Sequence, residues 1–345
     1  MSDIIFKTDH GPRLPQAIPF GWYFVGYSDE LAVGEVKPLE YFDRDLVMFR
    51  NENGEVGVLD AYCPHMGAHL GYGGSVEGDS LRCPFHAWGI NPDAIVTDVP
   101  YAKKIPPKVA GKQCMHKYPS VEKNKVIWAW YHPENKAPFF DVMEHEEIGH
   151  EDWIDLKKFE WEVDTNVQEI AENGVDVAHF KYVHSMDAVP EGETTYEGHI
   201  RNSKAFGQRE IPQPDGTTKT VDSKVHTVQN GAGQKFTKIS GLSETLLMVL
   251  VTPLNREKVM IRFAFTHKDF AEDTMEYKVA QASIESTVGA RGVVGDIPIW
   301  NKKIHRANPI LCDGDGPIMQ YRKYFSQFYA ENQTAEEKIA ELEPA

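Results

Sequence analysis

The stretch CPHMGAHLGYGGSVEGDSLRCPFHAW, residues 63–88, offers two thiols and two imidazoles in paired order: Cys63-x-His65 and, after seventeen intervening residues, Cys83-x-x-His86. A donor set of two sulfurs and two nitrogens suits zinc and iron–sulfur chemistry alike. Each half supplies one thiolate and one imidazole, the arrangement expected if two metals divide the set, one taking both Cys and the other both His. Pro64 and Pro84 stiffen the two loops, while Gly67, Gly71, Gly73 and Gly74 allow close backbone approach. On spacing alone a structural zinc stays open. His69 falls outside the pattern and reads as a polar loop residue.

Around this stretch, from Phe20 to about Tyr131, short β-type runs alternate with turn punctuation: GWYFVGYS, DLVMFRNENGEVGVLDAYC and KVIWAWYHP. That pattern predicts a small antiparallel β domain, with a hairpin turn at Asn53-Gly54. At 345 residues the chain exceeds one comfortable core, so two domains are expected. The acidic, Pro-containing NKAPFFDVMEHEEIGHEDW reads as the linker into the second. There, helical spacing over Val167 to Val183, β-rich runs from about Lys219 to Ala282 and a return to helix from IPIWNKK onward predict an α+β domain of helices flanking an antiparallel sheet. The expected division is 18–135, 136–335 and a tail at 336–345. The net charge of −16 comes without any Lys/Arg block, which argues against a nucleic-acid partner. The N-terminus lacks the pattern of a signal peptide, no apolar run is long enough to span a membrane, and the four Cys are too few for a disulfide framework; a cytoplasmic protein is expected.

A second constellation lies in ENGVDVAHFKYVH. On a helix, Asp176 and His179 share a face, joined by Asn173, whereas His179 and His184 would stand about 140° apart. Both can reach one metal only if the chain leaves the helix or bulges between them. Taken alone, the segment also reads as an amphipathic helix with Val167, Ile170, Val175, Ala178 and Val183 inward and two solvated His outward.

The C-x-H and C-x-x-H pairs, their seventeen-residue separation and the following Trp88 resemble the Rieske domain of ring-hydroxylating and sterol-modifying oxygenases. The later N-x-x-D-x-x-H-x-x-x-x-H resembles the catalytic domain of the same Rieske non-haem iron oxygenases. The resemblance implies an N-terminal all-β domain with a 2Fe-2S cluster on Cys63, His65, Cys83 and His86. It also implies a C-terminal catalytic domain with mononuclear Fe(II) on His179, His184 and a carboxylate. Asp296 in GDIPIWNKK best matches that carboxylate; it could instead cap the helix that holds Pro298, and Asp313 and Asp315 in CDGDGP are rivals that read first as a turn. In such enzymes an Asp at the position of Asp176 bridges one subunit's Rieske His to the next subunit's iron ligand in a head-to-tail trimer; His86 and His179 are the implied ends. Since no G-x-G-x-x-G fingerprint follows a strand, electrons are expected from a separate NAD(P)H-dependent reductase or ferredoxin.

NPILCDGDGPIMQYRKYFSQFY and GWYFVGYSDELAVGEVKPLEYFDRDLVMFR are similar to the branch containing 3-ketosteroid 9α-hydroxylase oxygenase components and sterol-modifying relatives. This implies a monooxygenase hydroxylating a steroid or sterol, with O2 as co-substrate. Two departures leave alternatives open. SMDAVPEGETTYEGHIRNSKAFG is more polar than its counterpart, and Ala87 stands where an acidic residue or Gly is usual. A sterol desaturase or demethylase, an aromatic-acid oxygenase, or a Rieske electron-transfer protein without oxygenase activity are the other expectations. LSETLLMVLVTPL and VMIRFAF read by default as strand core, with a pocket lining as the alternative.

Overall fold

The computed structural model describes residues 12–185, 191–212 and 217–333; the tail expected at 336–345 lies outside the described residues. The N-terminal part consists of β1 (Gly21–Tyr27), β2 (Val36–Tyr41), β3 (Arg44–Arg50), β4 (Val56–Asp60), β5 (Ser75–Glu77), β6 (Ser80–Arg82), β7 (Gly89–Ile90), β8 (Val96–Asp98), β9 (Ser120–Lys123) and β10 (Val126–Tyr131). They form antiparallel sheets of order β1-β10-β9, β2-β3-β4 and β5-β6-β7-β8. β3 and β4 meet at the expected hairpin, where Gly54 takes φ +87° and an L side chain would be strained.

After β11 (Lys157–Val163) come α1 (Val167–Glu172) and α2 (Val177–Tyr182). Then follow β12 (Glu191–Glu197), β13 (Ile200–Pro212), β14 (Thr218–Asn230), β15 (Gln234–Ser240), β16 (Glu244–Asn255) and β17 (Lys258–His267). The chain then forms α3 (Met275–Val288), α4 (Val293–Trp300) and α5 (Ile318–Phe325). The strands make one antiparallel sheet of seven, ordered β11-β17-β16-β15-β14-β13-β12. This is the α+β arrangement the sequence predicts.

The two parts share a continuous apolar core. β1 and β10 are buried along their whole length, because their GWYFVGY and VIWAWY runs are covered on both faces. Thr252 Oγ1 of β16 donates to the Phe24 carbonyl of β1 at 2.8 Å. A smaller separate core, with Phe49, Leu59, Leu81, Trp88 and Ile90, underlies residues 63–88 and takes in Cys63 and Cys83.

Three expectations are corrected. The acidic segment after β10 is no free linker: Phe140 and Val142 are buried, Trp22 Nε1 donates to the Phe140 carbonyl at 2.6 Å, and Asn230 Nδ2 donates to the Asp141 carbonyl at 2.9 Å. The strand-rich segment ends at His267, and Ala282 lies inside α3, which Thr274 caps by accepting from the Tyr277 N–H. The single helix predicted over 167–183 is two, broken at Asn173–Asp176. The polar stretch after His184 forms, over its described residues, the edge strand β12 and the start of β13, largely exposed but for the buried Arg201.

Candidate metal centres

The donors of residues 63–88 sit on two loops built alike. In each, the Cys carbonyl accepts from the N–H four residues on and the Cys N–H donates five residues on. Gly67 N–H to Cys63 and Cys63 N–H to Ala68 measure 3.0 and 2.9 Å; Ala87 N–H to Cys83 and Cys83 N–H to Trp88 measure 2.9 and 3.0 Å. The fourth residue after each Cys is left-handed, Gly67 at φ +75° and Ala87 at φ +56°. These turns bury both thiols and leave both imidazoles half-buried towards the surface. The two thiols lie together, as do the imidazoles, with ring centroids 4.8 Å apart. The His65 ring stacks on Trp88 at 4.6 Å and 7°, and Trp88 Nε1 donates to the Tyr101 hydroxyl at 2.8 Å.

Burial pushes the Cys63 thiol up to about 11, the main-chain N–H of His65 opposes this, and the adjacent Cys83 thiol adds to it. A thiol so raised keeps its proton until a cation replaces it. His86 Nδ1 is buried without a hydrogen-bond partner. An orphaned imidazole nitrogen beside two paired thiols fits a cluster whose two irons divide the donors by type.

The second constellation depends on the break between α1 and α2. Asn166 caps α1, accepting from the Glu169 N–H at 2.9 Å; Asn173 ends it; and Asp176 caps α2, accepting from the His179 N–H at 3.3 Å. Asp176 and Asn173 therefore do not share a helical face with His179 as predicted, yet Asn173 Nδ2 meets His179 Nε2 at 3.0 Å. α2 ends at Tyr182, so His184 lies beyond the helix and Ser185 turns left-handed at φ +56°. Leaving the helix is what swings His184 round, and the ring centroids of His179 and His184 come within 4.9 Å. Neither His is solvated: their side chains are 10% and 11% exposed.

Asp296 arrives from the far end of the chain. It lies in the first turn of α4, which starts at Val293 after Gly292, so it is not the cap that the sequence also allowed. Its Oδ2 is 3.4 Å from His184 Nε2. The donor atoms of His179, His184 and Asp296 all lie within 4.8 Å of one another, and among the described residues no other trio of metal-binding side chains does so. Asp313 and Asp315 are not in the group; Asp315 Oδ2 accepts from the Cys312 N–H at 2.6 Å, the turn expected there. Burial raises the Asp296 carboxyl above its ordinary range, against the pull of His184 and His179. A buried carboxylate beside a ring whose Nδ1 has no partner suits a divalent cation with open positions. The His179 ring is oriented through Nδ1, 2.6 Å from the Asp176 main-chain carbonyl, while the Asp176 carboxylate stands 3.9 Å off and 38% exposed.

The three donors line a cavity of about 560 Å³. Ile170, Phe180, Ile239, Val249, Ile261 and Phe263 supply much of its wall, so the apolar runs of β16 and β17 serve partly as lining and otherwise as core. Three cations escaped the sequence reading. Arg82 grips the second thiol loop, donating to the Ala87 carbonyl at 3.2 Å, Glu77 at 2.9 Å and Asp98 at 2.8 Å. Lys235 reaches the cavity, with Arg201 buried near it. Alternation along QKFTKIS puts Lys235 on the same face as Ile239, the signal that could have found it.

Comparison with known proteins agrees with this architecture. The Rieske [2Fe-2S] domain matches residues 21–119, and the 3-Ketosteroid 9alpha-hydroxylase C-terminal domain matches residues 129–329. A 3-ketosteroid-9-alpha-monooxygenase oxygenase component of Rhodococcus rhodochrous is 30% identical over 327 residues, 92% of this chain and 82% of that protein. Cholesterol 7-desaturase nvd 1 of Ciona intestinalis is 29% identical over 344 residues, 93% of this chain and 71% of that one. Among solved structures, dicamba monooxygenase bound to dicamba superposes with a TM-score of 0.68 at 19% identity, over 90% of this chain and 96% of the other. NdmA of Pseudomonas putida CBB5 with caffeine gives 0.70 at 16% identity, over 93% and 94%. At these identities the structures speak for the fold. No helix among the described residues is long and apolar enough to cross a membrane. With its two halves matched in this order by the domains of one enzyme family, the chain belongs to the Rieske oxygenases whose C-terminal domain is of the 3-ketosteroid 9α-hydroxylase type.

Proposed function

We propose that the chain is a terminal oxygenase that takes electrons from a separate NAD(P)H-dependent reductase or ferredoxin and hydroxylates a bulky hydrophobic substrate of the steroid or sterol class. The observation that carries this reading is the His179–His184–Asp296 group opening onto a mostly apolar cavity large enough for a polycyclic molecule. Cys63, His65, Cys83 and His86 would hold the 2Fe-2S cluster, and His179, His184 and Asp296 the mononuclear iron. Bound there, the cluster supplies one-electron relay and the iron supplies oxygen activation.

The chain's own groups do the rest. The Asp176 carbonyl fixes the His179 ring so that Nε2 is left for the metal, Asn173 hydrogen-bonds the Asp296 carboxylate, and the apolar walls exclude bulk water from the reacting carbon. The Asp176 carboxylate, free to face outward, would accept from His86 of a neighbouring copy in a head-to-tail homotrimer. Exposed Met66, Phe85 and Tyr101 around the imidazole end of the cluster site give that neighbour an apolar surface to cover.

Oxygen uptake with a matched reductase, across ketosteroids, sterols and aromatic acids, tests the function. Turnover of a polycyclic substrate with one oxygen atom gained is expected; no uptake with any polycyclic substrate defeats the steroid reading. A second reading, desaturation, is favoured by the similarity to cholesterol 7-desaturase and is told apart by a product two hydrogens lighter.

A further inference from the structure

Besides the metal donors the cavity wall carries two charges: Arg291, which is exposed, and Lys235, which is partly buried. Lys235 of β15 lines the cavity between apolar neighbours, and among the described residues no carboxylate lies within ion-pairing distance of it. Arg201 of β13 is buried behind it, with Nε unpartnered, Nη2 only loosely bonded to the Gly174 carbonyl at 3.4 Å, and its guanidinium 5.8 Å from the Tyr321 ring. The two cations converge. Lys235 Nζ and Arg201 Nη1 each stand 3.9 Å from the point a side-chain carbon would occupy at Gly174, itself a lining residue, with the Ala171 carbonyl, already bonded to the Gly174 N–H, at 3.6 Å. The absent side chain leaves a niche with two positive groups on its border, in the same break between α1 and α2 that delivers His179.

Burial, with the Arg201 charge adding to it and Asp296 opposing, brings the Lys235 ammonium down to about 8. It is still mostly protonated at neutral pH. Asp296 is the nearest compensating charge, and on the reading above it belongs to the metal. A desolvated cation pair without an anion is costly, and an incoming anion would relieve that cost.

We propose that Lys235 and Arg201 form a carboxylate niche inside the cavity, so that the substrate is an acid carried on an otherwise apolar frame. The inference rests on the cavity being the oxygenation site and names the chemistry of one end of its occupant. Arg201, outside the lining, adds its positive field; the Lys235 ammonium makes the contact.

The test uses purified, iron-loaded protein and two matched pairs: 3-oxoandrost-4-ene-17β-carboxylic acid with its methyl ester, and 2-naphthoic acid with its methyl ester. Calorimetric titration is expected to give at least one acid bound about tenfold more tightly than its ester. Lys235→Met should erase that preference while iron content stays at the wild-type level, and Lys235→Arg should restore most of it. Acids bound no more tightly than their esters, or a preference that survives in Lys235→Met, overturns the niche. Oxygen uptake on the same samples with a matched reductase and NAD(P)H added separates the two readings: an acid preference removed by Lys235→Met supports the niche even if no compound is oxidised, an outcome that counts against oxygenation of these frames instead.

Discussion

The two candidate centres are assembled in opposite ways. The four donors of residues 63–88 come from two copies of one hairpin loop, held by main-chain hydrogen bonds within seven residues of each Cys. The three donors at the cavity come from a broken helix pair and from α4, whose Asp296 follows His184 by 112 residues. The first centre presents its imidazoles at the surface, where an electron can be received; the second is sunk in an apolar wall, where water is kept from the reacting atoms. A local site can be rigid without its surroundings. A site gathered from distant segments depends on whatever anchors those segments, here side-chain ion pairs: Glu169 with His305 at 2.7 Å and Lys303 at 2.6 Å, and Glu172 with Arg322 at 2.7 Å.

The largest effect should come from removing a donor at one centre and watching the other. Asp296→Ala is expected to lose the mononuclear iron and to lower oxygenation at least about a hundredfold, because a two-imidazole site binds Fe(II) poorly. The visible absorbance of the cluster should persist. Cys83→Ser should do the reverse, bleaching the protein while mononuclear iron remains measurable. Iron and sulfide analysis beside the spectrum checks both, and loss of both centres in either variant would break the contrast between local and gathered sites.

The same contrast governs how far each centre was legible in the sequence. Cys63, His65, Cys83 and His86 could be read from spacing, since loops that close on themselves place their donors within the window a reader scans. His179 and His184 gave a spacing that no regular helix could satisfy, which pointed to a break without locating it. The break precedes His179 as well as following it, because Asn166 and Asp176 each cap a separate short helix. Asp296 was reachable only through resemblance, since nothing local distinguishes it from a helix-capping Asp until β16, β17 and α4 are packed together. Lys235 was invisible for a related reason: on QKFTKIS two lysines alternate with apolar residues, and only the tertiary fold says which face looks into the cavity.

Acid should loosen the gathered site first. Burial alone would raise the Glu169 carboxyl, but the hydrogen bond from His305 and the Lys303 ammonium outweigh it and hold it at about 2, against an ordinary 4.5. A carboxyl depressed on folding stabilises fully above its unfolded value and loses that contribution as pH falls towards the folded one. Glu169 should therefore contribute about 3 kcal/mol near neutrality, draining away between about pH 5 and pH 2. Denaturant unfolding across that range is expected to show the slope. Glu169→Gln should flatten it, and an unchanged slope in that variant would remove the ion pairs from the account.

A smaller effect is expected from the groups that orient the donors. Asn173 hydrogen-bonds the Asp296 carboxylate, so it orients a donor from beside the site. Asn173→Ala should weaken iron affinity roughly tenfold to a hundredfold while leaving the cluster spectrum untouched. Competition with a chelator measures it.

The smallest effect sharpens the comparison inside the cluster site itself. The two loops share a hydrogen-bond pattern and a left-handed fourth residue, but one uses Gly67 and the other Ala87. A side-chain carbon at Gly67 would meet nothing within 4 Å, so Gly67→Ala isolates the backbone strain of φ +75° and should cost about 1 kcal/mol. Ala87 already bears that strain, and Arg82, bonded to its carbonyl and ion-paired with Glu77 and Asp98, supplies the second loop with an anchor. Ala87→Gly should recover less than the first substitution costs, about 0.5 kcal/mol, because the freer glycine also stabilises the unfolded chain. Bleaching of the cluster during denaturant unfolding reads both. Equal and opposite shifts would mean that Arg82 contributes nothing to the asymmetry, whereas a gain from Ala87→Gly that grows in an Arg82→Met background would assign to that side chain the tolerance of alanine at position 87.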